Sequence, residues 1–192
     1  GTEFIAIKGV LCQNADKVDI TAIQNNTQIF VDGGTTAVTT ISAGETYMIP
    51  FASNSQTLYI TTNNPVYAFQ LTGLGHEFGG AVLPSMSHTG SQSVSYNRGG
   101  NADRTLKFNI ITRDGNQNSF TLNGSNTVIT SNLFAPVAGT NGSWLYASIE
   151  LPVSVVNINT TAIVQNTGLF HLGVFEGGFQ GGCSYAFFSD IS

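Results

Sequence analysis

Apolar residues recur along the chain in short alternating or continuous runs bounded by turn residues, the period-two signature of strands, and helical periodicity is nearly absent. The pattern predicts strands over 18–24, 27–32, 46–51, 57–62 and 66–72 in the first part of the chain. In the second part it predicts strands over 93–97, 105–113, 119–123, 127–131, 144–152, 162–165, 169–175 and 183–189. Between them lie Asp32-Gly33, Asp114-Gly115, Asn123-Gly124 and Asn141-Gly142, dipeptides that tolerate the positive φ of tight hairpin turns. Strands and turns at this spacing imply an all-β protein of sandwich type.

The pattern also repeats on a longer scale. Ile20-Thr21 and Ile111-Thr112 open segments that stay in register at a fixed offset of 91 residues (111 − 20 = 91). Asn25 falls on Asn116, Ile29 on Phe120, Val31 on Leu122 and Asp32-Gly33 on Asn123-Gly124. Farther on, 65–73 resembles 168–176, each an apolar strand running into a Gly-rich segment. The expected architecture is two related antiparallel β-sandwich lobes arising from internal duplication and closely packed, over 5–91 and 92–192, with a single larger sandwich as the competing reading. Lobes this small have marginal cores alone, so an apolar interface and one cooperative unit are expected. Gly1-Thr2-Glu3-Phe4 reads as a cloning scar and is set outside the fold.

Composition narrows the function. Only 9% of residues are charged, against about 25% in ordinary soluble domains. The polar surface must therefore come from the 22 Thr, 18 Asn and 17 Ser, residues suited to strands and turns of an exported protein. Six basic residues, a net charge of −5 and no basic run leave out the footprint of a nucleic-acid binder. No apolar run reaches the roughly 18 residues of a membrane helix, so no membrane insertion is expected, and the start carries no signal-peptide core. Cys12 and Cys183 fit no metal-binding spacing. They form either one long-range disulfide, worth about 4–5 kcal/mol if the protein is exported, or two buried thiols.

Candidate chemistry is sparse, and no cofactor is required. Three histidines are present, His76, His88 and His171. Ser91 with His88 and Asp190 could compose a hydrolase triad, yet no Gly-x-Ser-x-Gly elbow exists. His76-Glu77 and His88 lack the spacing of a closed zinc site. Asp16, Asp19, Asp103 and Asp114 lie in polar turns and are the candidates for calcium, with turn capping as the blander role. The segment 175–183 pairs glycines with aromatic faces. Glu176, Phe179, Gln180 and Tyr185 are therefore candidate ligand contacts, joined by His76 and Glu77 in the loop that closes the first half. The alternative is that these glycines allow tight packing between lobes and the aromatics are core. Asn25, Asn123, Asn141 and Asn159 head Asn-x-Ser/Thr triplets, acceptors only in a eukaryotic secretory pathway.

Two stretches carry a resemblance. They are Leu71-Thr-Gly-Leu-Gly-His-Glu-Phe-Gly-Gly-Ala-Val-Leu-Pro84 with His88-Thr-Gly-Ser91, and Phe170-His-Leu-Gly-Val-Phe-Glu-Gly-Gly178 with Cys183-Ser-Tyr-Ala-Phe-Phe-Ser189. They resemble the IgG Fc-binding protein N-terminal domain family, and with Asn123-Gly124 and 139–144 the likeness spans nearly the whole chain. The resemblance implies a bacterial surface or adhesion protein member: a non-enzymatic, extracellular recognition module of a larger protein. Its implied partners are a glycan or an extracellular protein, together with neighbouring domains of a longer chain. The alternative is a structural or assembly β-sandwich without a small ligand. His88 stands where family members often have Cys, and Ala186 follows Tyr185 where Gly is common, so the family's disulfide pattern does not carry over. The segments 71–91 and 173–189 are where recognition is expected.

Overall fold

A computed structural model of the chain describes residues 1–87, 89–100, 104–178 and 182–188. Nearly everything is strand, as the alternating pattern requires. The first half contributes β1 (Glu3–Ile7), β2 (Val10–Leu11), β3 (Lys17–Ala22), β4 (Thr27–Val31), β5 (Thr39–Ile41), β6 (Thr46–Pro50), β7 (Thr57–Thr62), β8 (Val66–Gly75) and β9 (Glu77–Val82). These make two sheets, ordered β1-β7-β4-β5 and β2-β8-β3-β6 with β9 on β8. Alternate residues point inward: Phe4, Ala6, Ile29, Leu58 and Ile60 from one sheet meet Val18, Ile20, Ala22, Ile49 and Ala68 from the other.

The second half contributes β10 (Ser91–Asn97), β11 (Thr105–Arg113), β12 (Thr121–Leu122), β13 (Ala135–Pro136), β14 (Trp144–Leu151), β15 (Thr161–Gly177) and β16 (Cys183–Phe188). All seven belong to one sheet that folds over along β15. The first part of β15 pairs with β10 and β12, and its last part with β11 and β16. Val94, Leu122 and Val164 then face Phe108, Ile110 and Leu172 across a second core. In the first half the same path is cut in two between β7 and β8, where Pro65 has no N–H to give a ladder.

The two halves repeat one pairing scheme. β3 lies between β6 and β8, and β11 lies between β14 and β15. Phe4 pairs with Ile60 as Val94 pairs with Val164, and Val31 pairs with Ile60 as Leu122 pairs with Val164. The carbonyl of Asn25 accepts from the Asn64 amide, and that of Asn116 from the Asn166 amide. One detail of the sequence alignment is corrected. Ile20 faces the first core whereas Ile111 faces away from the second, so the inward counterpart of Ile20 is Ile110. A slip of one residue exchanges the faces of a strand. Ile29 and Val31 do keep their faces on Phe120 and Leu122.

The halves meet along an apolar seam. Ile5 and Ile7 leave the outer face of β1 and pack with Tyr59 against Met86, Ile111, Val137, Trp144, Tyr146 and Phe187. At its rim the turn at Asp32-Gly33, with φ of 50° and 73°, abuts Gly139. A β-carbon at Gly139 would stand 2.1 Å from the Asp32 carbonyl carbon. Residues 1–4, set aside in the sequence reading, take part in the fold. Phe4 is 2% exposed in the first core, and Glu3 bonds across the seam.

Other strand expectations also shift. The segment 127–131 forms bends and the start of a short 3-10 turn (Ser131–Leu133) rather than a strand. The Gly-rich stretch after β8 is a hairpin strand, β9, and not an open loop. At Gly80 a β-carbon would fall 2.4 Å from the tip of the half-exposed Phe69 ring, which lies over the bare backbone there. No helix of the described residues is long and apolar enough to cross a membrane.

Candidate functional site

A cleft of about 610 Å³ opens beside the seam, a size typical of small-ligand sites. Met86, Ser87 and Thr89 form one wall from the segment that joins the halves. Arg113 at the end of β11, Asn116 in the turn after it, Trp144 at the start of β14, and Leu169 and His171 on β15 form the other. Arg113 and Trp144 are directly paired across the two strands, which puts both side chains on the outer face. The guanidinium carbon of Arg113 lies 3.8 Å from the Trp144 ring centroid, a cation–π contact that holds the guanidinium over the ring.

The cleft is braced from behind by Glu3. Its carboxylate accepts from Tyr59 Oη at 3.0 Å, from Trp144 Nε1 at 3.1 Å and from Ser87 Oγ at 3.4 Å. One carboxylate thus ties β1, β7, β14 and the connecting segment together. Burial, together with the Glu3 charge, pushes the Tyr59 phenol up to about 12, so it stays a donor. Thr89 donates its hydroxyl to the Ser85 carbonyl, and Thr112 donates to the Leu169 carbonyl at 3.0 Å. His171 is buried, and burial with the nearby Arg113 charge lowers its pKa to about 4. It is therefore a neutral imidazole at physiological pH.

The residues singled out from sequence fall elsewhere. Glu176 is buried on β15, accepting from Tyr96 Oη and, at 3.2 Å, from the Gly99 N–H. Tyr185 is buried with its hydroxyl donated to Gln70 Oε1 at 2.9 Å and its ring stacked on Phe175 at 4.1 Å between centroids. Tyr185 lies under the seam, and Glu176 points to the core side of β15 with its Oε1 unpartnered among the described residues. His76 is exposed at the tip of the β8–β9 hairpin, and Glu77 begins β9 opposite Leu74. Phe179 and Gln180 lie outside the described residues, as do His88, Asp103 and Asp190. Ser91 is buried at the start of β10.

The described calcium candidates are apart. Asp16 is buried and accepts from the Gly9 N–H at 2.8 Å, the Leu11 N–H at 3.2 Å and the Thr72 hydroxyl, so it caps the β2 entry. Asp19 lies in mid-strand between Met48 and Phe69, and Asp114 sits in an exposed turn where it accepts from Gln117. No group of three or more His, Cys, Asp or Glu side chains comes together among the described residues. Cys12 and Cys183 are free thiols, Cys12 exposed, and burial pushes the Cys183 thiol up to about 11.

What sequence reasoning missed is the strand-end pair Arg113 and Trp144. The Asp114-Gly115 turn marked Arg113 as a strand end, and Trp144 is the single tryptophan, but their meeting depends on a pairing register that one strand alone does not reveal. Ser87 and Thr89 do fall inside the stretch 71–91 expected to carry recognition. Among known proteins, the profile of one family, described as IgGFc binding protein, matches residues 1–175. No curated protein and no solved structure matches the chain.

Proposed function

Since the chain belongs to the IgGFc binding protein family, we propose that it is a non-enzymatic recognition module of a secreted or surface protein, engaging an extracellular protein or a glycan through the cleft at the seam. The observation that carries this reading is the cleft's lining: one oriented guanidinium, hydroxyl and amide groups, and a neutral imidazole, with no carboxylate among the described lining residues to act as acid or base. Such a surface holds a ligand but supplies little to turn it over.

The test is a binding survey of the folded chain against immunoglobulin Fc, extracellular-matrix proteins and a glycan array. Binding that weakens when Arg113 or Asn116 is replaced supports the reading. A folded chain that binds nothing in the survey sinks it. An assembly role is the second reading, favoured by the exposed apolar row Met48, Phe69 and Val82 across β6, β8 and β9. Concentration-dependent self-association in sedimentation, abolished by Phe69→Ser, would favour it instead.

A further inference from the structure

The hydrogen-bonding state of each group in the cleft restricts what can enter it. Ser87 and Thr89 already donate their hydroxyl protons, to Glu3 and to the Ser85 carbonyl respectively, so toward the cleft they offer lone pairs. They ask for donors. Arg113 is the reverse case. Its guanidinium is committed to the face of Trp144 and makes no hydrogen bond within the described residues, so its five N–H groups remain available. It asks for an anion, preferably a planar carboxylate that takes the fork in a bidentate manner.

Other basic side chains are engaged differently. The Arg98 guanidinium is buried and donates to the carbonyls of Leu151, Val156 and Arg104. Lys107 stands opposite Glu150 across the β11–β14 ladder, and Lys8 donates to Asn14. Asn116 adds an amide whose side chain makes no hydrogen bond within the described residues, and Leu169, 48% exposed, adds an apolar edge. A ligand that matches all of this carries a carboxylate, several hydroxyl donors and a small apolar face. An acidic sugar has that combination, whereas a neutral sugar lacks the anion and a fatty acid lacks the hydroxyls. The volume of about 610 Å³ is ample for a sugar ring and its substituents.

Resting on the recognition reading above, we propose that the cleft binds an acidic sugar, its carboxylate on Arg113 and its hydroxyls donated to Ser87 and Thr89. The anion gains from the cleft walls, which exclude part of the solvent that would screen it. The stacking on Trp144 leaves the guanidinium preorganised, so little side-chain entropy is lost on binding.

The experiment is a titration of the whole chain, followed by amide NMR shifts and calorimetry. The probes are N-acetylneuraminic acid and glucuronic acid, free and at the end of a short oligosaccharide, with galactose as the neutral control. Acidic probes are expected to bind, with shifts at Ser87, Thr89 and Asn116, and galactose roughly tenfold more weakly or not at all. Stronger binding of the oligosaccharides than of the free acids would assign the cleft to glycan ends; the reverse would assign it to free sugar acids. Arg113→Met should weaken acidic probes roughly tenfold or more, and Arg113→Lys less, because the ammonium keeps charge but loses the fork. Far-UV circular dichroism checks that each variant folds, and Thr89→Val serves as a second variant should Arg113→Met fail to fold. Equal affinity for galactose and the acids, or binding indifferent to Arg113 and Thr89, overturns the proposal. Failure of every acidic probe while the chain binds a protein in the survey also overturns it, yet leaves the recognition reading standing.

Discussion

Two sheet faces in this molecule occupy the same place in the pairing scheme and meet opposite fates. The outer face of β14-β11-β15-β16 carries the row Ser148, Asn109, Gly173 and Phe187, and from Asn109 to Phe187 it is covered, with Ser148 at the open edge. The outer face of β6-β3-β8-β9 carries the row Met48, Asp19, Phe69 and Val82, and it is open, with Phe69 41% and Val82 65% exposed. Covering a face changes what its polar groups must do. Asn109 is fully buried: its carbonyl oxygen accepts from Ser148, while its Nδ2 finds no partner among the described residues, an unmet donor that costs about 1–3 kcal/mol. Asp19 on the open face needs no such partner. Exposed apolar surface alone therefore does not mark the cleft. What marks it is the edge of the covered face, where Arg113 and Asn116 pass from seam to solvent beside the buried His171.

Four changes can break or sharpen this contrast. Ile5→Ala removes an aliphatic chain from the covered side and should cost about 2–5 kcal/mol in denaturant unfolding. A loss well below that range would mean the seam is not a packed core. Acidification should act next. The folded chain keeps His171 neutral down to about pH 4, while the unfolded chain protonates it below its ordinary 6.5. His171 thus favours the fold fully above pH 6.5, and that contribution, of order 3 kcal/mol, is lost as pH falls toward 4. His171→Gln should flatten the dependence in that window, and an unchanged profile would contradict a buried neutral imidazole. Glu3→Ala strips three donors of their acceptor and should cost about 2 kcal/mol. On the open face, Phe69→Ser should change stability by only ~0.5 kcal/mol. A larger loss there would mean the face is covered after all.

Much of this was legible in the chain. The limits of β7 and β11 coincide with their alternating runs, and Asp32-Gly33, Asn123-Gly124 and Asn141-Gly142 all turn with positive φ. β9 was hidden because Gly79 and Gly80 read as loop, although both continue the strand and the Phe69 ring lies over Gly80. β1 was hidden because Glu3 and Phe4 looked foreign to the fold. The face error at Ile111 has a further cause. Identical letters recur at one offset while the inward period recurs at another, and only contact with a partner strand decides between them. The cleft was the least legible part, since its walls come from four separated stretches of chain whose meeting is a property of register and of the seam.

If the seam makes one unit of two lobes, its loss and the loss of the sheets are a single event. Trp144 is the only tryptophan and lies at the seam, stacked under Arg113 and bonded to Glu3, so its fluorescence reports that interface alone. Far-UV circular dichroism reports the strands of both halves. Denaturant unfolding followed by the two signals should give coincident transitions with one midpoint. A tryptophan transition that is complete while the strands remain folded would show two lobes that merely touch, and would contradict a cleft held in shape by their union.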